Sequence, residues 1–234
     1  MTGTSASERP SSEDGQAGSG ARSLGILGGT FNPPHLGHLA VASHALAELA
    51  LDHVWLMPAN SPPHKRAGQG PSAAQRLSMC RLLVAGVAGV SACALEIERG
   101  GPSYTVDTLR AIHASDPEAE LTFIVGADTA ATIASWREPA ELLGLCRLAV
   151  AARTGSDRRE VLDTVAAVLD GDGAGQRAAA ERVRFLEMDN VEVSSSLVRD
   201  RLARGEPIGG LVRPSVAAYI DGHALYPAGA GAAS

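Results

Sequence analysis

The sequence contains little lysine, few aromatic residues and few cysteines. Lys65 is the only lysine among 20 basic residues, and aromatic side chains make up 3% of the chain. The three cysteines, Cys80, Cys93 and Cys146, form no CxxC pair, which argues against a zinc site and against a disulfide framework. We therefore expect reduced, buried thiols in a cytoplasmic protein.

The sequence also has no long hydrophobic segment and no excess of basic charge. Its longest uncharged apolar run covers residues 82–95, which is shorter than the roughly 20 residues that a membrane-spanning helix needs. The formal net charge is −6, so no basic field is available to coat nucleic acid. The N-terminus has no apolar stretch that would serve as a signal peptide. We expect no membrane partner and no nucleic-acid partner.

Composition divides the chain into a folded domain and two tails. Residues 1–22 are rich in Ser, Gly and acidic side chains and offer almost nothing to bury, which predicts a disordered tail. Residues 23–228 are expected to form one domain, since 45% of the chain is hydrophobic and its length suits a single core. Residues 229–234 are expected to be a short flexible C-terminal tail.

After residue 22, short apolar runs alternate with segments of helical periodicity. The spacing predicts strands at 23–27, 54–57, 121–125, 148–151 and 183–186 and helices at 38–50, 73–84, 105–113 and 195–203. We therefore predict an α/β fold, a Rossmann-like parallel sheet with helices on both faces. Such sheets bind their ligands at the carboxyl ends of the strands. Residues 154–182 depart from the alternation and are predicted to form a variable helical excursion.

The strongest functional signal is the segment GGTFNPPHLGH at residues 28–38, between the first strand and the first helix. Its glycines allow the backbone to approach a phosphate closely, and the helix N-terminus presents free N–H groups to an anion. His35 and His38 are three residues apart at the helix start and therefore project from the same side. Two imidazoles there can stabilise charge on a phosphate in a transition state. The alternatives are a structural turn and a metal site, although two histidines without a third ligand make a poor zinc site.

The same segment resembles the GxFxPxHxGH signature of the nucleotidyltransferase superfamily. Later segments occur in the order seen in bacterial nicotinate-nucleotide adenylyltransferases: PPHK at 62–65, GPSYT at 101–105, GAD at 126–128, Trp136, and SSS at 194–196 with Arg199. The resemblance implies adenylyl transfer from ATP to nicotinate mononucleotide, which forms deamido-NAD and pyrophosphate in NAD biosynthesis. It also implies Mg²⁺ bound through the ATP phosphates, with no metal held by the protein itself.

The motifs and the resemblance together assign the candidate site residues to three groups. The catalytic residues are expected to be His35, His38, Lys65 and Arg199. Residues expected to bind ATP are Gly28, Gly29, Thr30, Phe31, Gly126, Asp128, Ser195 and Ser196. Residues expected to bind nicotinate mononucleotide are Tyr104, Thr105, Trp136 and Arg137.

The phosphate-binding candidates also have simpler interpretations. One serine of 194–196 is a natural N-cap, and the spacing places Ser195 or Ser196 on the helix face of Arg199. A hydroxyl and a forked cation at a helix N-terminus suit pyrophosphate, although a capped surface helix has the same pattern. Lys65 follows two stiffening prolines, so its ammonium is either presented to phosphates or solvated. Asp128 follows a strand and suits a ribose hydroxyl or a helix N-cap.

Trp136 is one of two tryptophans and belongs either to the core or to a ring-binding surface. Its neighbour Arg137 indicates an exposed edge. The family resemblance implies that the indole stacks on the pyridine ring and that backbone N–H groups near Thr105 and Arg137 bind the carboxylate. Asn32 stands where Asp is frequent in the family, and we expect it to be a turn residue, for which Asn serves equally.

Two other functions are compatible with the sequence. A sibling adenylyltransferase would act on nicotinamide mononucleotide, phosphopantetheine or FMN, and Trp136 with the PPHK segment counts against the last two. A non-catalytic nucleotide sensor would keep the fold, but the retention of both histidines, Lys65 and Arg199 argues against it. The sequence leaves open whether the chain forms a homo-oligomer.

Overall fold

The computed structural model describes the chain at residues 23–61, 70–152, 158–170, 174–188 and 192–227. Both predicted tails lie outside these residues, and so does the PPHK segment with Lys65. The strands of the described part are β1 (Ser23–Gly29), β2 (His53–Pro58), β3 (Val90–Ala92), β4 (Glu120–Gly126), β5 (Arg147–Ala151) and β6 (Val183–Leu186). All of them pair in parallel, in the order β3-β2-β1-β4-β5-β6. This order confirms the predicted Rossmann-like sheet.

Helices cover both faces of the sheet, as predicted. Alternate side chains of a strand enter opposite cores, so that Ile26 and Phe123 belong to one core while Leu27 and Ile124 belong to the other. The helices are α1 (Leu36–Glu48), α2 (Ala73–Val84), α3 (Leu95–Arg99), α4 (Thr105–Ser115), α5 (Ala127–Ala130), α6 (Pro139–Leu145), α7 (Arg158–Leu169), α8 (Gly175–Arg182), α9 (Ser195–Ala203) and α10 (Pro214–Gly222). Helices α4 to α8 pack on the first core, and α1, α2, α9 and α10 pack on the second.

The first helix begins earlier than predicted. The pattern placed its start at residue 38, whereas α1 begins at Leu36 and ends at Glu48. The cause is an N-cap at His35, whose backbone N–H donates to Nδ1 of His38 at 3.2 Å, in the manner of a capping box. Helices α2 and α9 and strand β6 have the predicted bounds.

Several short elements escaped the sequence pattern. Strand β3 is three residues long and lies inside the apolar run 82–95, where no period is visible. Helix α10 begins with Pro214 at its first position, which is a start signal that the pattern did not use. Helices α7 and α8 occupy the excursion and confirm its helical character.

The three thiols are free, as expected. Cys80 and Cys146 are buried and Cys93 is partly buried. Burial raises the pKa of all three thiols, that of Cys146 to about 12, so they are protonated at neutral pH. No helix in the described ranges combines the length and the apolar character needed to cross a bilayer.

Candidate active site

A cavity of about 270 Å³ opens where β1 and β4 lie side by side at their carboxyl ends. Leu27 and Gly28 contribute from β1, and Val125 and Gly126 contribute from β4. The chain leaves these two strands toward opposite faces of the sheet, which creates the crevice where Rossmann-like proteins bind ligands. The other lining residues are His35, Gly37, His38, Val41, Thr129, Ala151, Ala152, Met188, Val193 and Ser194.

The two histidines of the first motif lie against each other at the start of α1. Their ring centroids are 3.7 Å apart, and both rings line the cavity. Desolvation by burial, and then the proximity of His35, holds the pKa of His38 well below its usual value of 6.5. A neutral His38 that accepts from the His35 N–H at Nδ1 carries its own proton on Nε2. The neutral His38 ring can therefore donate a hydrogen bond from Nε2.

Two neighbours fix the orientation of this pair. The buried ring of Phe31 lies 4.8 Å from the His38 ring, centroid to centroid. Gly37 leaves room for the other imidazole, because a Cβ added there would lie 3.0 Å from ring atoms of His35 and 3.4 Å from the carbonyl oxygen of Val193. Gly37 belongs to the motif, yet no site role was predicted for it.

We expect Gly37→Ala to lower kcat about tenfold, because the added methyl group displaces the His35 ring by a few tenths of an ångström. Steady-state kinetics and thermal melting of the purified variant measure this. Gly144→Ala is the control, since a Cβ there meets nothing within 4 Å. An unchanged kcat in Gly37→Ala would show that activity tolerates a displaced His35 ring.

The lowered pKa of His38 predicts a loss of stability in acid. The unfolded state, with a pKa near 6.5, takes up the proton first, so stability is complete above about pH 6.5 and decreases as pH falls through the folded pKa. Urea unfolding between about pH 7.5 and 5 should therefore show a smaller decrease for His38→Gln than for the wild type. Burial also lowers the pKa of His53, and His53→Gln measures that separate contribution. Equal decreases in the wild type and His38→Gln would contradict the prediction.

The N-terminus of α9 is attached to the loop that precedes α1. Ser194 is the N-cap and accepts from the N–H of Leu197 at 3.1 Å, so a serine caps this helix as predicted. The Ser195 hydroxyl donates to the carbonyl of Pro33 at 2.9 Å. Of the three serines, Ser194 lines the cavity, whereas Ser195 and Ser196 do not.

Arg199 is not among the residues that line the cavity, and it makes hydrogen bonds to two other described residues. Nη1 donates to the carbonyl of Asn32 at 2.7 Å, and Nη2 donates to Oγ of Ser196 at 3.0 Å, as the helical spacing predicted. The side-chain oxygen of Asn32 accepts from the Tyr226 hydroxyl at 2.5 Å. Asn32 lies in a bend, so the expected turn role is confirmed, and it also links the loop to α9 and to the C-terminal segment.

The predicted mononucleotide-binding residues form a second group, outside the cavity wall. Tyr104 caps α4, Thr105 is its first residue, and the guanidinium carbon of Arg137 lies 4.8 Å from the centre of the Tyr104 ring. The half-buried ring of Trp136 meets Phe123 edge to face, with centroids 6.0 Å apart. A Cβ on Gly28 would lie 2.9 Å from that same phenyl ring, so Phe123 lies between Trp136 and the end of β1.

Asp128 is not the N-cap of the helix that follows β4, which was one of its two predicted roles. The N-cap of α5 is Gly126, and Asp128 is the second residue of the helix, so the N-cap interpretation is wrong. Thr129, one residue further, lines the cavity instead. A Cβ at Gly126 would meet no atom within 4 Å, which leaves the floor of the cavity open at this strand end. Val41, Met188 and Val193 also line the cavity, and no motif predicted them.

The fold and the site together define a nucleotidyltransferase, and a family model described as cytidylyltransferase-like matches residues 26–201. A curated relative from Chromobacterium violaceum is 41% identical over 208 residues, covering 87% of this chain and 98% of its own length. Another, from Synechococcus sp. strain JA-3-3Ab, is 40% identical over 206 residues, covering 88% and 95%. Both are named "Probable nicotinate-nucleotide adenylyltransferase". The chain belongs to the nicotinate-nucleotide adenylyltransferase family.

Solved structures agree on the fold. A Plasmodium falciparum nicotinic acid mononucleotide adenylyltransferase complexed with NaAD superposes with a TM-score of 0.69 at 16% identity, covering 87% of this chain and 97% of the other. The same enzyme complexed with APC gives a TM-score of 0.67 at 17% identity, with 87% and 96% covered.

Proposed function

We propose that this enzyme transfers the adenylyl group of ATP to nicotinate mononucleotide, forming deamido-NAD and pyrophosphate in NAD biosynthesis. The observation that carries the proposal is the His35–His38 pair at the start of α1, which lines a cavity at the β1–β4 crevice. A helix N-terminus with two imidazoles is a site for phosphate groups. We place the reaction in the cytoplasm, which suits three free thiols.

The reaction needs alignment and charge stabilisation more than proton transfer. A phosphate oxygen of the mononucleotide attacks the α-phosphorus of ATP, and the bond from that phosphorus to the bridging oxygen of the β-phosphate breaks. The electron pair leaves with pyrophosphate. Since the nucleophile is already an anion, no general base is required.

The chain's own residues would then stabilise the transferring and leaving groups. His38 donates from Nε2 to an oxygen of the reacting phosphate, and His35 lies beside it at 3.7 Å between ring centroids. Lys65 and Arg199 neutralise the leaving pyrophosphate. Arg199 directs two of its five N–H groups to described residues, the carbonyl of Asn32 and Oγ of Ser196, and we propose that its other N–H groups bind the pyrophosphate.

The polar groups of the cavity suit phosphate oxygens better than a metal ion. The polar side chains among the lining residues are imidazoles and hydroxyls, whereas Mg²⁺ prefers carboxylate, phosphate and water oxygens. We therefore propose that Mg²⁺ is held by the ATP phosphates and that it neutralises part of their charge.

The second group of residues, which consists of Tyr104, Thr105, Trp136 and Arg137, would hold the pyridine end of the mononucleotide. Its indole presents a half-exposed face, while Phe123 supports its edge and Oγ1 of Thr132 accepts from its N–H at 3.3 Å. The N-terminus of α4, at Thr105, presents N–H groups that lack an intrahelical carbonyl partner and that favour an anionic carboxylate.

A pyrophosphate-release assay tests this function directly. With ATP and Mg²⁺, the enzyme should turn over nicotinate mononucleotide and should be much slower with nicotinamide mononucleotide, phosphopantetheine or FMN. Chromatography should identify deamido-NAD as the second product. Nucleotide binding without pyrophosphate release from any acceptor would favour a sensor and overturn the proposal.

A further inference from the structure

Arg76 is a buried cation in an unfavourable position. It lies in the first turn of α2, where the helix dipole disfavours positive charge, and its side chain is 5% exposed. Burying a guanidinium is costly unless hydrogen bonds replace its hydration. A leucine or methionine at this position could be buried beside α2 without the desolvation cost of a charge, so the presence of a guanidinium requires an explanation.

The hydrogen bonds of Arg76 join two loops at the carboxyl edge of the sheet. Nη1 donates to the carbonyl of Thr30 at 2.7 Å, in the loop that follows β1. Nη2 donates to the carbonyl of Ala59 at 2.5 Å and to that of Asn60 at 3.1 Å, in the loop that follows β2. The two nitrogens of one rigid fork therefore hold two separate chain segments at a fixed distance.

The second loop is attached in turn to the start of α4. The N–H of Asn60 donates to Oγ of Ser103 at 2.8 Å, and its side-chain amide donates to the carbonyl of Gly101 at 2.9 Å. The N–H of Ser103 donates to the carbonyl of Ser61 at 2.9 Å. A continuous series of hydrogen bonds thus connects the histidine motif, through Arg76, to the segment that ends at Tyr104.

The bond to Thr30 also orients the peptide that follows it. In a trans peptide the N–H points away from the carbonyl, so the N–H of Phe31 points away from Arg76. Phe31 has φ of 52°, which is rare for an aromatic residue and persists only where its surroundings hold it. Arg76 holds the carbonyl side of this peptide, and the buried phenyl ring packed on His38 holds the other side.

We propose that Arg76 is a positioning residue that sets the separation between the ATP half of the site, at the histidine motif, and the mononucleotide half, at the start of α4. This inference rests on the proposed function, because it requires two substrates that react across that separation. Each half also has contacts that do not involve Arg76: Ser195 and Arg199 bind the loop that follows β1, and Asn60 binds the segment before α4. Binding of each substrate alone should therefore survive, while the alignment of the two reacting phosphates is lost.

The test compares Arg76→Met and Arg76→Lys with the wild type. Methionine fills the volume without hydrogen bonds, and lysine keeps the charge on one nitrogen that cannot hold both loops. We expect kcat to fall at least tenfold in both variants, since small misplacements of reacting groups are costly. The dissociation constants of ATP alone and nicotinate mononucleotide alone, from calorimetry, should change less than about threefold.

Arg182→Met is the matched control. Arg182 also donates to two carbonyls, those of Leu143 at 2.6 Å and Gly144 at 3.3 Å. These contacts lie where β5 and β6 begin, at the amino ends of the strands. The Arg182→Met variant should have a lower melting temperature than the wild type but an unchanged kcat. Every activity assay is run well below the melting temperature of the variant. If Arg76→Met does not fold, Arg76→Lys alone supplies the comparison.

The outcomes separate this inference from the proposed function. An inactive wild type would overturn the function, whereas an active wild type with unchanged kcat in the Arg76 variants would overturn only the role of Arg76. Weakened binding of one substrate with unchanged kcat would assign Arg76 to that half of the site and contradict alignment. An equal loss of kcat in Arg182→Met would show that the fall in kcat of the Arg76 variants comes from general destabilisation, and would contradict the proposed role of Arg76.

Discussion

His38→Ala is expected to lower kcat by roughly 10²-fold or more while the fold persists, as for the loss of a transition-state donor. The hydrogen bond from the His35 N–H occupies Nδ1, so the neutral ring has one N–H, at Nε2, to offer a phosphate. Its lowered pKa means that this donor does not depend on protonation near neutral pH. Charge on the α-phosphate oxygens grows during the reaction, so kcat should suffer more than the KM for ATP.

His44→Ala provides a control on the same helix. His44 is further along α1, where its Nε2 lies 2.6 Å from Oε2 of Glu48 near the surface. Its loss should leave kcat unchanged, because the ring has no part in the cavity. Circular dichroism and thermal melting would verify that both variants fold. A folded His38→Ala enzyme with wild-type kcat would remove His38 from the catalytic residues.

Most of the sheet could be predicted because buried parallel strands are continuous apolar runs between turns. The apolar runs within β1, β2, β4 and β5 needed no long-range information, and 183–186 is apolar apart from the exposed Arg184. Strand β3 has three residues, which are too few to show a hydrophobic period. Its pairing with β2 depends on the tertiary path of the chain between the two strands. The start of α1 was misplaced because His35 is an unusual N-cap, satisfied by a side chain three residues ahead.

The geometry of the candidate site could be predicted where one continuous segment supplies the residues. The histidine pair follows from local helical geometry, and so does the bond between Arg199 and Ser196. Arg76 could not be found this way, because its partners are backbone carbonyls and every residue type has one. Residues such as Met188 reach the cavity through the packing of β6 beside β5, which no spacing in the sequence encodes.

Selection of the acid over the amide is expected to come from N–H donors rather than from the stacking ring. Trp136 offers a flat face that would stack on either pyridine equally well. The N–H groups at the start of α4 would favour two anionic oxygens over a carboxamide, whose NH₂ would face another donor. Asp107 in that first turn pairs with Arg110 and Arg137 at 3.1 and 3.4 Å. Between them these two arginines also pair with Glu138 and Glu141, so the N–H donors, and not the surrounding charge, have to select the acid.

We therefore predict that nicotinate mononucleotide exceeds nicotinamide mononucleotide in kcat/KM by a factor on the order of 10² or more. Each unpaired buried donor costs about 1–3 kcal/mol, and two such mismatches reach that factor. Trp136→Ala should weaken both substrates similarly and leave their ratio largely intact, as measured by pyrophosphate release with each substrate. Comparable kcat/KM values in the wild type would contradict the acid preference. A ratio that collapses in Trp136→Ala would show instead that the indole ring, through its support on Phe123, positions the carboxylate.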